Sequence, residues 1–158
     1  MQIRPTVPDD YPFLAEIQRS SIDALLRPLY ERDAIEDWLM RITPDKFARA
    51  VRQNEVILIA EENGQRLGFV SYSVQGGLLA MWYVCSQHTG RGVGRTLLKA
   101  AERALREAGC SQVSTEASIY AMPAFQALGL TAIEEFDKPA FGGQFRVTRM
   151  TKSLTESA

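Results

Sequence analysis

Histidine and cysteine are almost absent from this chain. His88 stands alone, and Cys85 and Cys110 are the two cysteines in 158 residues. With no CxxC spacing there is neither a zinc-ribbon nor a thioredoxin-type motif, and no metal site is expected. Two thiols in unrelated contexts point to a reduced, cytoplasmic setting, with a single disulfide left open. A basic excess is missing as well. Lys and Arg number 18 against 19 Asp and Glu, which speaks against a general nucleic-acid binder. No stretch approaches the roughly 18 apolar residues of a membrane span, and "MQIRPTVPDD" has no apolar core of a secretory leader. There is no Gly-Lys pair, so a P-loop is excluded. The dinucleotide pattern G-x-G-x-x-G also fails, because its sixth position falls on Arg95 or Leu97. Repeats, low-complexity tracts and linkers are lacking too, which implies one domain over residues 1–158.

What is present is an ordinary globular composition: 46% hydrophobic and 23% charged residues, enough to build one core. "MQIRP" reads as a short strand. Helical spacing follows, with Phe13, Ile17, Ala24 and Leu25 as its expected inward face and Asp9 and Asp10 near the positive end of the helix dipole. "YERDAIEDWLMRI" is a second helix striped by Ile35, Leu39 and Ile42. Thr43-Pro44 opens a third, through Phe47, Ala50 and Val51. The period then changes. "EVILIAEENGQRLGFVSYSV" is a β-hairpin about Asn63-Gly64, Gly76-Gly77 turns the chain, and "LLAMWYVCS" is another strand. A helix at about 93–108 has Val93, Leu97, Leu98, Ala101, Leu105 and Ala108 inward and Gly109 just past its end. A strand "SQVSTEAS", a short helix "AMPAFQAL" and two closing strands complete the chain. The class is α+β, with a central, mostly antiparallel mixed sheet flanked by helices.

Between strand and helix lies Gly90-Arg91-Gly92-Val93-Gly94. A helix start offers unpaired N–H donors and partial positive charge, and glycines let a ligand approach the backbone. Arg91 and Arg95 add cations beside it. "YVCSQHTGRGVGRTLL" resembles the acyl-CoA motif of the GCN5-related N-acetyltransferase (GNAT) superfamily, and "EASIYAMPAFQALGL" resembles that family's second motif. The order of elements along nearly the whole chain is similar too. The resemblance implies acetyl-CoA as cosubstrate. Its pyrophosphate is expected on Thr89, Gly90, Arg91, Gly92, Val93, Gly94, Arg95 and Thr96, and its pantetheine arm along Trp82, Tyr83 and Val84. Ser118 and Phe125 are expected near the same arm.

The implied reaction is attack of an amine on the acetyl thioester. Phe125 occupies the position where the family often has a tyrosine acid, so Tyr120 is the candidate replacement. The strand before the glycines carries no carboxylate, so Glu116 is the candidate base, with water-relayed deprotonation as the other route. Thr89 stands where the family has Gln or Arg, and Cys85-Ser86 where many relatives have His-Pro. Cys85 with His88 offers a nucleophile–base pair in principle, but residues three apart on a turn are more simply a packed thiol and an exposed ring. Tyr30 and Trp38, with Glu31 and Asp37, are the expected lining of the acceptor site. Relatives in that family often dimerise, which leaves a homodimer open, while the charge balance and the lack of a long apolar run imply no nucleic-acid and no membrane partner. Two functions stand: an N-acetyltransferase acting on a primary amine of a small molecule or peptide, and an acyl-CoA-binding sensor module with weak or absent catalysis.

Overall fold

Seven strands form one sheet in the computed structural model, which describes residues 1–155. In chain order the elements are β1 (Gln2–Pro5), α1 (Tyr11–Ser21), α2 (Arg32–Met40), α3 (Pro44–Arg52), β2 (Val56–Glu62), β3 (Gln65–Ser73), β4 (Leu78–Val84), α4 (Val93–Glu107), β5 (Gln112–Ser118), α5 (Met122–Ala127), β6 (Thr131–Ala140) and β7 (Gly143–Ser153). The sheet order is β1-β2-β3-β4-β5-β7-β6, and only the β4–β5 neighbours run parallel. This is the expected α+β class with a mixed, mostly antiparallel sheet.

Local chemistry explains the turns. Asn63 and Gly64 both take positive φ, 51° and 77°, as a two-residue type I′ hairpin requires. Gly109, at φ 94°, ends α4 as a left-handed residue just beyond the helix.

Two helical layers cover the two faces. On one face α1, α2 and α3 bury Leu14, Ile17, Ile22, Ile35, Leu39 and Phe47 against Ile57, Ile59, Phe69 and Met81. On the other, α4 and α5 bury Leu97, Leu98, Ala101, Leu105 and Phe125 against Leu67, Val70, Val113 and Met150. Three apolar assignments differ from the sequence pattern. Phe13 and Leu25 are exposed and Ala24 faces outward, while Leu14, Ile22 and Leu26 point inward. For Ala24 and Leu25 the reason is a π-helical turn at Ile22–Leu26, which widens the helix and changes its phase relative to a 3.6-residue period; Phe13 precedes that turn and lies under the Arg66 guanidinium at 4.0 Å. Val51 is exposed at the end of α3, and Ala108 is exposed because α4 ends one residue earlier.

Asp10 is not the surface helix-dipole partner that its position suggests. It is fully buried. Arg4 donates to both of its oxygens at 2.9 and 3.0 Å, Arg66 donates at 2.8 Å, and the Val7 N–H donates at 2.8 Å. The hydrogen bonds from Arg4 hold its pKa well below the ordinary carboxylate range, against the opposing effect of burial. This cluster fastens β1 to the start of α1 and to β3. Removing the carboxylate takes a shared partner from two guanidinium groups, of which Arg4 keeps Glu61, so Asp10→Ala is expected to lose about 3 kcal/mol, the low end for breaking a buried pair because both arginines keep some solvent. A group with a depressed folded pKa stabilises above its unfolded pKa and loses that contribution as pH falls. The gap between wild type and Asp10→Ala in urea unfolding should therefore be full at pH 7 and shrink below about pH 4. An equal gap at pH 7 and pH 3 would contradict the assignment.

Candidate functional site

β4 and β5 meet in register at one pair only, Leu78 with Ser114. Next to it the Thr115 hydroxyl donates to the Leu79 carbonyl at 2.9 Å. Beyond that point the strands part. β4 stays bonded to β3 through Gly68↔Val84, while β5 stays bonded to β7 along Gln112–Ser118. The opening is a cleft of about 1130 Å³, slightly larger than the usual small-molecule site. Its walls include residues Leu78–Val84, Ser114–Ser118, the glycine loop, α5, and the aromatics Tyr30, Trp38, Phe141 and Phe145.

The glycine loop closes one end. Gly90 and Gly92 both have φ of 80°, and Gly92 is the left-handed residue from which α4 starts. A side chain at either would meet nothing within 4 Å, so it is the backbone angle that demands glycine there. The first backbone bond into Gly92 comes from Thr96. The N–H groups of Val93, Gly94 and Arg95 have no backbone acceptor among the described residues and are available to an anion.

Gly94 serves a different purpose. A Cβ there would lie 3.2 Å from the Trp82 ring and 3.4 Å from Val84. The Trp82 indole N–H donates to the Gly94 carbonyl at 2.9 Å, and its ring packs on Phe125 with centroids 4.6 Å apart. The third glycine thus lets β4 carry a tryptophan flat beneath the first turn of α4.

The other expected residues fall as follows. Thr89, Gly90, Gly92, Val93, Gly94 and Arg95 line the cleft, as do Trp82, Tyr83, Val84, Ser118, Tyr120 and Phe125. Arg91 and Thr96 do not. Arg91 is drawn away by Glu62 at 2.5 Å and also meets the His88 ring at 3.0 Å, while the Thr96 hydroxyl donates back to the Gly92 carbonyl. The His88 ring therefore meets Arg91, and the bond between His88 and Cys85 is one of backbone, the His88 N–H donating to the Cys85 carbonyl at 2.9 Å. Thr89 donates to the Ser86 carbonyl. The Ser118 hydroxyl accepts the Ala121 N–H at 3.0 Å, capping the turn into α5. Tyr120 is 53% exposed. Phe125 is buried with no polar atom to offer. Glu116 accepts from Lys138 at 2.6 Å.

On the opposite side, the Tyr30 hydroxyl accepts the Ile119 N–H at 3.0 Å and donates to the Arg146 carbonyl at 2.8 Å. It ties the end of β5 to β7, and burial raises its pKa against the opposing Ile119 bond. Trp38 stacks on Phe141 at 5.1 Å and meets Phe145 edge-on at 5.4 Å. Glu31 stands at the N-cap position of α2 without a side-chain capping bond and Asp37 pairs with Arg41, both off the cleft wall.

Among the polar residues of the wall that escaped the sequence reading are Gln18, Lys46 and Glu55. Lys46 donates to the Gln18 carbonyl oxygen at 2.7 Å. Gln18, almost wholly buried, donates to the Tyr83 hydroxyl across a long 3.4 Å bond. Burial pushes the Lys46 pKa down to about 8, with Glu55 acting in the other direction. Their residues lie 28 and 65 positions apart in pairs, so no local spacing announces them.

The two glycines separate experimentally. Gly92→Ala should lose about 1–2 kcal/mol from left-handed backbone strain and leave the tryptophan near-UV dichroism intact. Gly94→Val should lose a comparable 1–3 kcal/mol by overpacking, and should change that dichroism because Trp82 is displaced. Identical spectra for the two variants would refute the separate roles.

Comparison with known proteins agrees with this geometry. The family model described as "Acetyltransferase (GNAT) domain" matches residues 26–154. A GCN5-related N-acetyltransferase structure from Rhodopseudomonas palustris, also labelled Aminotransferase, Class-II, superimposes with a TM-score of 0.87 at 31% identity, over 96% of this chain and 94% of that one. The PaiA N-acetyltransferase of Thermoplasma acidophilum, solved in complex with coenzyme A, shares the fold with a TM-score of 0.79 at 20% identity, over 96% and 98% of the two chains. Among curated proteins, aminoglycoside N(6')-acetyltransferase type 1 of Stenotrophomonas maltophilia is 27% identical over 100 residues, which is 56% of this chain and 65% of that enzyme's length. On the family match and the superposition together, the chain belongs to the GNAT acetyltransferase family.

Proposed function

We propose that the protein moves an acetyl group from acetyl-CoA to a primary amine of a small molecule or peptide, in the cytoplasm. The observation that carries this reading is the parting of β4 from β5 into a cleft that ends on the bare first turn of α4. The coenzyme A held by the PaiA structure and the amine acceptor named in the aminoglycoside relative support it.

The residues present fit such a cosubstrate. The free N–H groups of Val93, Gly94 and Arg95, with the open Gly90 and Gly92, suit the pyrophosphate, and the Arg95 side chain adds a cation on the same wall. The backbone of Trp82–Val84 faces the gap without a β5 partner and can pair with an amide-bearing arm. Acetyl-CoA, when bound, would supply an acetyl group on a thioester whose sulfur leaves and ends as a thiol. Overall one nitrogen–carbon bond forms and one carbon–sulfur bond breaks; of the two protons the ammonium nitrogen loses, one passes to water and the other is balanced by the proton that ends on the sulfur.

The chain's own residues divide the remaining work. Trp82 and Phe125 keep water off one face of the arm by close packing. Tyr30, Trp38, Phe141 and Phe145 form an aromatic wall where the acceptor enters. Tyr120, exposed at the cleft, is the assigned proton donor to the leaving sulfur in place of Phe125. Proton removal is assigned to cleft water, because Lys138 already engages Glu116. The free thiol pKa near 8.5 makes coenzyme A a fair leaving group even with a weak acid.

A second reading, an acyl-CoA-binding sensor, draws on the same two departures: Phe125 lacks a proton, and β4 carries no carboxylate. Calorimetric titration with acetyl-CoA, followed by coenzyme A release against a panel of amines that includes aminoglycosides, separates the readings. Micromolar binding with amine-dependent release is expected, and Gly92→Glu should weaken binding at least about tenfold by placing a charge in the anion site. Tight binding without release on any amine would favour the sensor. Absence of binding would overturn both.

A further inference from the structure

We propose that the Tyr83 hydroxyl is a hydrogen-bond donor to the thioester carbonyl oxygen, and that Gln18 and Lys46 are positioning residues that hold it in that sense. The assignment rests on the acyl-CoA reading above. It adds to that reading a residue for polarising the carbonyl, a task for which the sequence pattern offers no side chain.

The direction of the hydrogen bonds decides the matter. An ammonium has three donors and no acceptor, so Lys46 can face only the carbonyl oxygen of the Gln18 amide. That fixes the amide. Its NH₂ must point the other way, toward Tyr83. The Tyr83 oxygen therefore receives a hydrogen from Gln18, and its own hydrogen has to be directed elsewhere. No protein acceptor takes that hydrogen among the described residues. Tyr83, Gln18 and Lys46 all line the same cleft, so the free O–H is presented to it.

The surroundings hold this arrangement in place. Gln18 is 2% exposed and cannot exchange its partners for water. The Tyr83 ring lies against Phe69 with centroids 5.6 Å apart, and the Lys46 ammonium sits 5.3 Å over the Phe47 ring. Burial raises the Tyr83 pKa, so the hydroxyl keeps its proton at neutral pH and acts by donation. The amide between Lys46 and Tyr83 is a poor proton carrier, so the chain transmits orientation and not protons. Tyr83 belongs to β4, the strand along which the acyl arm is expected. It projects to the face opposite Trp82, which is also the side of the acceptor's aromatic wall. A donor there strengthens its bond as the carbonyl oxygen gains charge under attack, and lowers the barrier by doing so.

The test uses binding and spectroscopy of the intact protein, independent of turnover. Affinities for acetyl-CoA and for free CoA are measured by calorimetry. The carbonyl stretch of bound, ¹³C-labelled acetyl-CoA is read by isotope-edited infrared spectroscopy. In wild type the stretch should lie below its unbonded frequency, and acetyl-CoA should be preferred over CoA. Tyr83→Phe should raise the frequency and cut that preference by about three- to tenfold, the worth of one hydrogen bond. Gln18→Glu keeps a partner for Lys46 but turns an acceptor toward Tyr83, which reverses the hydroxyl; it should reproduce the Tyr83→Phe values although Tyr83 is intact. Lys46→Arg, again a pure donor, should keep the wild-type values. Unchanged frequency and preference in Tyr83→Phe would overturn the donor assignment. A loss in Tyr83→Phe with none in Gln18→Glu would overturn the positioning chain. Wild-type protein that binds no acetyl-CoA would overturn the underlying acyl-CoA reading, and the donor assignment with it.

Discussion

The single register pair between β4 and β5 is the constraint from which the rest of the molecule follows. Each strand is fully committed elsewhere, β4 to β3 and β5 to β7. Twist accumulates across a sheet, so two parallel strands tied at one end and held apart at the other must open. The tied end is drawn tight by Gly77, whose missing Cβ lets the turn approach the Gln112 carbonyl, and by the Cys110 thiol, which donates to the Val74 carbonyl. At the far end of β4 the chain crosses by the glycine loop and α4 to reach β5. The crossover thereby leaves the positive start of a helix at the mouth of the gap.

Because side chains alternate along β4, the strand addresses both helical layers at once. Trp82 turns toward α4 and α5, where its indole bonds the Gly94 carbonyl. Tyr83 turns toward α1 and α3, where Gln18, itself held by Lys46, meets its hydroxyl. Two adjacent aromatics, each with one polar atom, thus connect the anion loop and the acceptor side to a common edge of backbone. Gly68 on β3 makes this possible, since a Cβ there would collide with the Tyr83 carbonyl.

Periodicity and turn chemistry carried the architecture into view. The Asn63-Gly64 hairpin, the inward stripe of α4 and the glycine run ahead of it are short-range features, and the structure keeps all three. Features that depend on residues far apart in the chain were not legible. Asp10 reads as a helix-dipole acid until Arg66 arrives from β3. Lys46 of α3 went unnoticed because its partner Gln18 lies on α1, 28 positions away. The outward turn of Ala24 and Leu25 was missed because a π-helical turn after α1 adds a residue that no apolar spacing announces. Gly94 was grouped with its neighbours in the loop, and only the position of Trp82 gives it a separate role.

The two outer strands of the sheet have a bearing on how the molecule behaves in a crowded solution. β1 and β6 each pair on one side only, leaving rows of backbone donors and acceptors of the kind that another chain can extend. β1 is four residues long and ends in Pro5. β6 is interrupted by an irregularity between Ala132 and Glu134 and carries Pro139 near its end. Its Glu134, Asp137 and Lys138 are engaged by Arg149, Arg146 and Glu116, so a strand docking there meets a charged, broken and proline-blocked border. The fold that opens its sheet at the centre to admit a ligand keeps both margins closed to uncontrolled strand addition, and so resists aggregation while one of its strand pairs stands apart.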